Sequence, residues 1–228
     1  MLKKIVITGL FVSLLGVCNV VAQQSLKYVD ALQFRMINKG FNDTETPFTR
    51  LPKWLKDSVR PDLWNRGQCS SGLGIRFATD SKRVGIRYTL LWDTHMFHMA
   101  DTGLKGTDLY ILTEDGRWEY VNKKECEKVF VENLDGNMHE YLIYLPLYDG
   151  MTKMEIAVDS MSVIRNPQID TPRKSKKIVM YGTSILQGGC STRTGMVATN
   201  MILDSVVKVR WICVWRVQWL ESRMRTCL

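Results

Sequence analysis

Apolar and polar residues alternate in short runs from Ser71 to Asp159. "LGIRFATD" (Leu73 to Asp80), "RVGIRYTLLW" (Arg83 to Trp92) and "KMEIAVD" (Lys153 to Asp159) each keep this period-two pattern. "TDLYILTEDGRWEYV" (Thr107 to Val121) predicts two strands around Asp115-Gly116, a dipeptide that supplies the positive φ of a hairpin turn. "KVFVENLDGNMHEYLIYLPLY" (Lys128 to Tyr148) predicts a second such pair, turning at Asp135-Gly136-Asn137. Short alternating strands with frequent turn signals and no helical stretch between them predict an antiparallel sandwich. Upstream, "RLPKWLKDSVRPDLW" places Pro52 and Pro61 around a short turn or helix that leads into it.

The pattern changes after "NPQIDTPRKSKK" (Asn166 to Lys177), a linker by its prolines, polar residues and basic cluster. "KIVMYG" is a continuous apolar run, as in a buried parallel strand. "GMVATNMILDSVVK" (Gly195 to Lys208) places Met196, Val197, Met201, Ile202 and Val206 at helical spacing. Strand, turn and helix in that order open a β-α unit.

Composition adds compartment and excludes some partners. The chain has 228 residues, 45% hydrophobic and 24% charged, which is ordinary globular composition. The net charge of +8 is concentrated at the two ends, with no basic stripe in the body, so nothing points to nucleic acid. "MLKK", an apolar stretch and "VVA" before Gln23 form a secretory signal peptide with cleavage after Ala22. A permanent anchor is the alternative, and a lipoprotein through Cys18 is less well supported because Val17 precedes it. No later segment is apolar enough to span a membrane. The cysteines left after cleavage, Cys69, Cys126, Cys190, Cys213 and Cys227, are odd in number and form neither a disulfide framework nor a metal motif.

Ser184 is the candidate for chemistry. A nucleophilic serine needs an exposed hydroxyl, backbone N–H groups for an oxyanion, and a base in reach. The tip of a buried strand entering a helix supplies the first two, and Gly182 lets the chain turn there. The bland alternative is a serine that caps the helix or fills the turn.

"IVMYGTSILQGGCSTRTGMVATN" resembles the first conserved block of the SGNH (GDSL-type) esterase and lipase family, with Gly182-Thr183-Ser184-Ile185 in place of Gly-Asp-Ser-Leu. "HMADTGLKGTDLY" (His98 to Tyr110) and "YLPLYDG" (Tyr144 to Gly150) resemble the sandwich domain that precedes it in a secreted bacterial branch, with Gly106-x-Asp108-Leu109-Tyr110 as the core. The resemblance runs from Ser25 to Asp204. It implies a jelly-roll-like β-sandwich followed by the first β-α unit of an incomplete flavodoxin-like α/β domain. It also implies a serine ester hydrolase acting on acylated or acetylated carbohydrate, with no metal or organic cofactor. Ser184 would be the nucleophile and give an oxyanion N–H; a D-x-x-H pair, a glycine and an asparagine would come from later blocks. The organisation that follows is a signal peptide over 1–22, a sandwich over 23–165, a linker over 166–177, the start of the hydrolase domain over 178–204 and an atypical tail over 205–228.

The chain departs from the family pattern after Asp204. His95, His98 and His139 all precede Ser184, and only Asp204 and Glu221 are acidic beyond it. The stretch beyond Ser175 is shorter than the ~100–150 residues of a typical domain, so the expectation is a truncated and inactive hydrolase. The tail sets Trp211, Trp215 and Trp219 every four residues, the face of a basic helix at a membrane surface, while the valines between them weaken that helix. An out-of-frame continuation explains the composition better. His95 and His98 form H-x-x-H, a loop-packing pair rather than a zinc site, although His98 stands where it could line a cleft between the domains. Asp108 is either a substrate or interdomain contact or a carboxylate bonded to backbone N–H groups. A second reading makes the sandwich a glycan-binding module that uses Trp64, Trp92, Trp118 and Tyr120.

Overall fold

A computed structural model describes residues 25–121, 129–168, 177–205 and 210–215. The expected leader with Cys18, most of the linker, Cys126, Trp219 and Cys227 lie outside the described residues. The chain enters through β1 (Leu26–Asp30), a 3-10 turn capped by the Asp30 carboxylate, and β2 (Arg35–Ile37). Pro52 and Pro61 bracket a 3-10 segment, and Pro61 opens α1 (Pro61–Gly67), where a missing N–H costs nothing. The body follows as β3 (Gly74–Thr79), β4 (Val84–Leu90), α2 (Asp101–Leu104), β5 (Asp108–Leu112), β6 (Trp118–Tyr120), β7 (Val129–Val131), β8 (His139–Tyr144), β9 (Met151–Asp159) and β10 (Ile164–Arg165).

These strands form two antiparallel sheets, β1-β9-β4-β7 and β10-β3-β8-β5-β6, with β2 also paired to β3. The inward residues of both, among them Ile75, Phe77, Ile86, Leu109, Tyr141, Ile143, Ile156 and Val158, make the main core. Phe77 and Tyr141 are direct cross-strand partners, their rings stacked at 5.3 Å. The sandwich is therefore the predicted one, with two corrections. The one-turn helix α2 interrupts the strands. The second hairpin does not form: β7 pairs with β4 in one sheet and β8 with β3 and β5 in the other, so Asp135-Gly136-Asn137 is an arch between sheets. Gly136 at φ +79 and the Asn137 N–H bonded to the Asp135 carboxylate shape the bend. Alternation marks strands but cannot say which strand each one pairs with.

The second sheet is buried on both faces at one end, which is why β3 is buried at every position. Its outer face carries Tyr110, Leu142 and Tyr144 with Trp118 against them. Beside this cluster Arg76 and Glu140 pair at 2.6 Å with side chains only 7% and 9% exposed. The guanidinium also lies over the Trp118 ring.

The second unit packs on that end. β11 (Lys177–Gly182) leads into α3 (Ser184–Gln187), a 3-10 turn at Thr194–Met196 and α4 (Ala198–Ser205). β12 (Arg210–Trp215) returns to lie parallel to β11. This overturns the helical reading of the tail for these six residues. Trp211, Ile212, Val214 and Trp215 are strand formers, and β11 offers an edge to pair with.

Removing one partner of the buried pair leaves the other charge stranded. Glu140→Ala is expected to lower unfolding free energy by about 3–5 kcal/mol, and the double replacement Arg76→Met with Glu140→Leu to recover most of it. Urea denaturation of the three proteins checks this.

Candidate active site

Ser184 is the first residue of α3, directly after β11. A side chain at Gly182 would strike Leu186, the residue that folds back over the strand end, so the tight turn needs glycine there for space. The helix stops after one turn at Gly188, whose φ of +101 is the left-handed cap geometry. The Ser184 carbonyl is held three ways. It accepts the Gly188 N–H at 3.1 Å, the Gly189 N–H at 2.8 Å and the Tyr148 hydroxyl at 3.0 Å. Burial pushes the Tyr148 phenol up, so it keeps its proton and remains a donor. The Ser184 side chain is exposed, and its hydroxyl and N–H find no partner among the described residues. A first-turn N–H of this kind is an available oxyanion donor.

The serine opens onto a cleft of about 720 Å³ between the two units. Its lining comes from α1 and its cap, with Arg60, Asp62, Leu63, Asn65 and Arg66, and from Trp92, Thr94 and Tyr148. Asp149 holds the Trp92–Thr94 part in place. Fully buried, its carboxylate accepts the N–H groups of Trp92 at 3.1 Å, Thr94 at 2.8 Å and Gly150 at 2.8 Å. In the sequence Asp149 stands within "YLPLYDG" with no role evident from its neighbours. An aspartate beside a glycine after an apolar strand was the only signal.

Gln187 ties the serine's helix to the sandwich. It is 0% exposed. Its Oε1 accepts Arg50 Nη2 at 3.0 Å, its Nε2 donates to the Leu147 carbonyl at 2.8 Å, and its own carbonyl accepts Ser71 Oγ at 2.7 Å. Arg50 in turn donates to the carbonyl of Arg66 at 2.6 Å, in the last turn of α1, and to that of Cys69 at 2.8 Å, just beyond it. One guanidinium thus links the helix bearing one cleft wall to the helix bearing Ser184. Cys69 lies beside this network. Burial pushes its thiol up against the pull of Arg50 and Arg66, which rules it out as a thiolate nucleophile.

Asp108 resolves into both of its readings at once. It is 2% exposed and accepts the backbone N–H of Gly195 at 2.9 Å, so it is a turn-binding carboxylate whose turn belongs to the other unit. Arg193 stands 3.6 Å away, its guanidinium over the Tyr120 ring. A side chain at Gly195 would collide with the Tyr110 hydroxyl. Burial pushes the Asp108 carboxyl up, outweighing the Gly195 N–H and Arg193, which pull it down.

The histidines stand elsewhere. His95 Nδ1 bonds the Asp101 carboxylate at 3.0 Å, His139 Nε2 bonds Asp135 at 2.8 Å, and His98 meets Phe97 edge-on. Among the described residues none of the three lines the cleft of Ser184. Of the aromatics considered for sugar binding, Trp64 is buried in a small core with Leu51, Leu55 and Leu63, and Trp118 and Tyr120 lie under Arg76 and Arg193. Trp92, 44% exposed, is the one in the cleft.

Between the ordinary carboxylate value and its raised value, folded Asp108 holds more protons than unfolded Asp108. Its contribution to stability therefore falls as pH rises through that window. Asp108→Asn keeps an acceptor for Gly195 and is expected to cost less than about 1 kcal/mol while removing this fall. Asp108→Ala strands the Gly195 N–H and is expected to cost about 1–3 kcal/mol. Urea melts across the acidic range separate the two. Gln187→Leu leaves Arg50 Nη2 and the Leu147 carbonyl without these partners and is expected to cost about 3 kcal/mol. Hydrogen exchange would show the loss as faster opening of α3.

The chain matches the N-terminal GxDLY domain of SGNH hydrolase-type esterases over residues 26–164, and the GDSL-like lipase/acylhydrolase family over residues 175–209. A Bacteroides ovatus structure assigned as a GDSL-like lipase aligns at TM-score 0.74 and 29% identity, covering 84% of this chain and 57% of that one. The salicylyl-acyltransferase SsfX3 of a tetracycline biosynthetic pathway shares the fold at TM-score 0.59 and 14% identity, covering 83% of this chain and 54% of that one. The chain thus spans little more than half the length of these structures. A search of the curated proteins finds no significant match. With the GxDLY match covering more than half its length and the hydrolase block following in order, the chain belongs to the SGNH hydrolase-type esterase family.

Proposed function

We propose that the cleft is the ester site of a serine hydrolase acting on acylated or acetylated carbohydrate, with Ser184 as the nucleophile. The observation that carries this is the serine's placement. Its carbonyl is fixed by three donors, while its side chain is exposed and the residue lines an open cleft. In such a site Ser184 Oγ attacks the ester carbonyl, and the Ser184 N–H receives the negative charge that develops on the carbonyl oxygen. Trp92 offers a ring face on which a sugar stacks. The neighbouring solved structures support an acyl-transfer chemistry for the fold. The leader sequence supports export of the chain.

The reaction also needs a base. No histidine follows Ser184, and those before it are bonded to other groups or lie away from the cleft. A positioned base is worth about 10²–10⁴-fold in rate. These residues hold the nucleophile without a base in reach, and little turnover is expected of them alone. The glycan-binding reading of the sandwich converges on the same place, because Trp92 is the candidate aromatic that opens to a cleft.

Two proteins test the reading. The purified chain is expected to release no more acetate from acetylated oligosaccharide than its Ser184→Ala variant; Ser184-dependent release would overturn the inactivity. Fusing the chain after Asp204 to the remainder of the Bacteroides ovatus structure is expected to give release that Ser184→Ala abolishes. A folded fusion without it would sink the esterase assignment.

A further inference from the structure

Two arginines, Arg60 and Arg66, are among the residues that line the cleft. Arg60 caps the start of α1 and Arg66 sits in its last turn, and both side chains are exposed. Neither forms an ion pair among the described residues. Arg66 rests over the Tyr148 ring at 5.6 Å, which holds it near the serine's helix. Arg60 has no such support. Asp62 is the acid among the lining residues and lies beyond ion-pair distance of both, so the wall carries an excess of positive charge.

We propose that this wall selects acylated glycans that carry carboxylate groups, such as uronic-acid polymers, over neutral ones. The inference rests on the glycan reading of the cleft and names its substrate class. Guanidinium is the side chain best shaped to receive a carboxylate, through two parallel N–H donors. Six residues separate Arg60 from Arg66, about 9 Å of helix rise. That separation suits an extended ligand with acidic groups on more than one unit better than a single small anion. A cleft of about 720 Å³ has room for a short oligosaccharide. Trp92 lines the same cleft and offers a stacking face for a sugar ring.

The test titrates the full chain with O-acetylated tetragalacturonate and, separately, with O-acetylated xylotetraose, following heat or tryptophan fluorescence. The acidic glycan is expected to bind about tenfold tighter at low salt, with the advantage shrinking as salt rises. Arg60→Gln with Arg66→Gln is expected to abolish the advantage, and Arg60→Gln alone to reduce it. Both positions are exposed, and a thermal melt confirms that the variants fold. Equal binding of the two glycans by the wild-type chain overturns the inference and leaves the glycan reading intact. An acidic preference that survives the double replacement overturns the assignment to these arginines. Binding of neither glycan overturns the inference together with the reading it rests on.

Discussion

Gln187 is the point on which the placement of Ser184 depends. A helix of one turn has too few internal hydrogen bonds to hold its own shape, and the sheet beneath it has two strands. Its geometry must come from outside. Gln187 supplies that by using its amide oxygen, its amide nitrogen and its carbonyl on three separate parts of the sandwich. A leucine of the same size would fill the space and give no direction. The buried amide gives direction, because only one orientation satisfies both ends of it.

The same device recurs around the cleft. Asp149 and Asp108 are buried carboxylates that accept backbone N–H groups, one shaping the Trp92–Thr94 wall and the other seating the Gly195 turn. Desolvating a carboxylate costs energy, and the raised Asp108 value records that cost. The return is register. An apolar contact between the units would tolerate sliding, whereas a carboxylate bonded to one N–H does not. The outer face of the second sheet supplies the apolar part of the same contact. Tyr144 reaches the Asn200 carbonyl at 3.4 Å, and Leu147 packs with Val197.

Much of this was legible in the sequence for a physical reason. Strands with one face in a core advertise themselves by period two, as Ile75, Phe77, Tyr141 and Ile143 do. The strand, glycine turn and serine stood out because few other local structures need that order. What stayed hidden depends on contacts between distant residues. The pairing of β7 away from β8 follows from sheet assignment, which alternation does not encode. Arg50 and Gln187 are far apart in the chain and read as ordinary polar residues until the fold brings them together. In the tail, tryptophans spaced by four mimic a helical face, which made a helix the weaker alternative there, while the β-branched residues between them favour the strand that forms over Arg210–Trp215.

The hydrogen bonds that hold the serine's helix against the sandwich come from Arg50, Ser71, Leu147 and Tyr148, all of which precede Ser184, while β12 supports β11 by pairing with it. Gln187, Asp149 and Asp108 are under structural constraint whatever the chemistry, because breaking any of them leaves a buried polar group unsatisfied. The shape of the cleft therefore rests on packing and hydrogen bonding that turnover does not require, and it depends on α1, on Trp92 and on the loop that Asp149 holds.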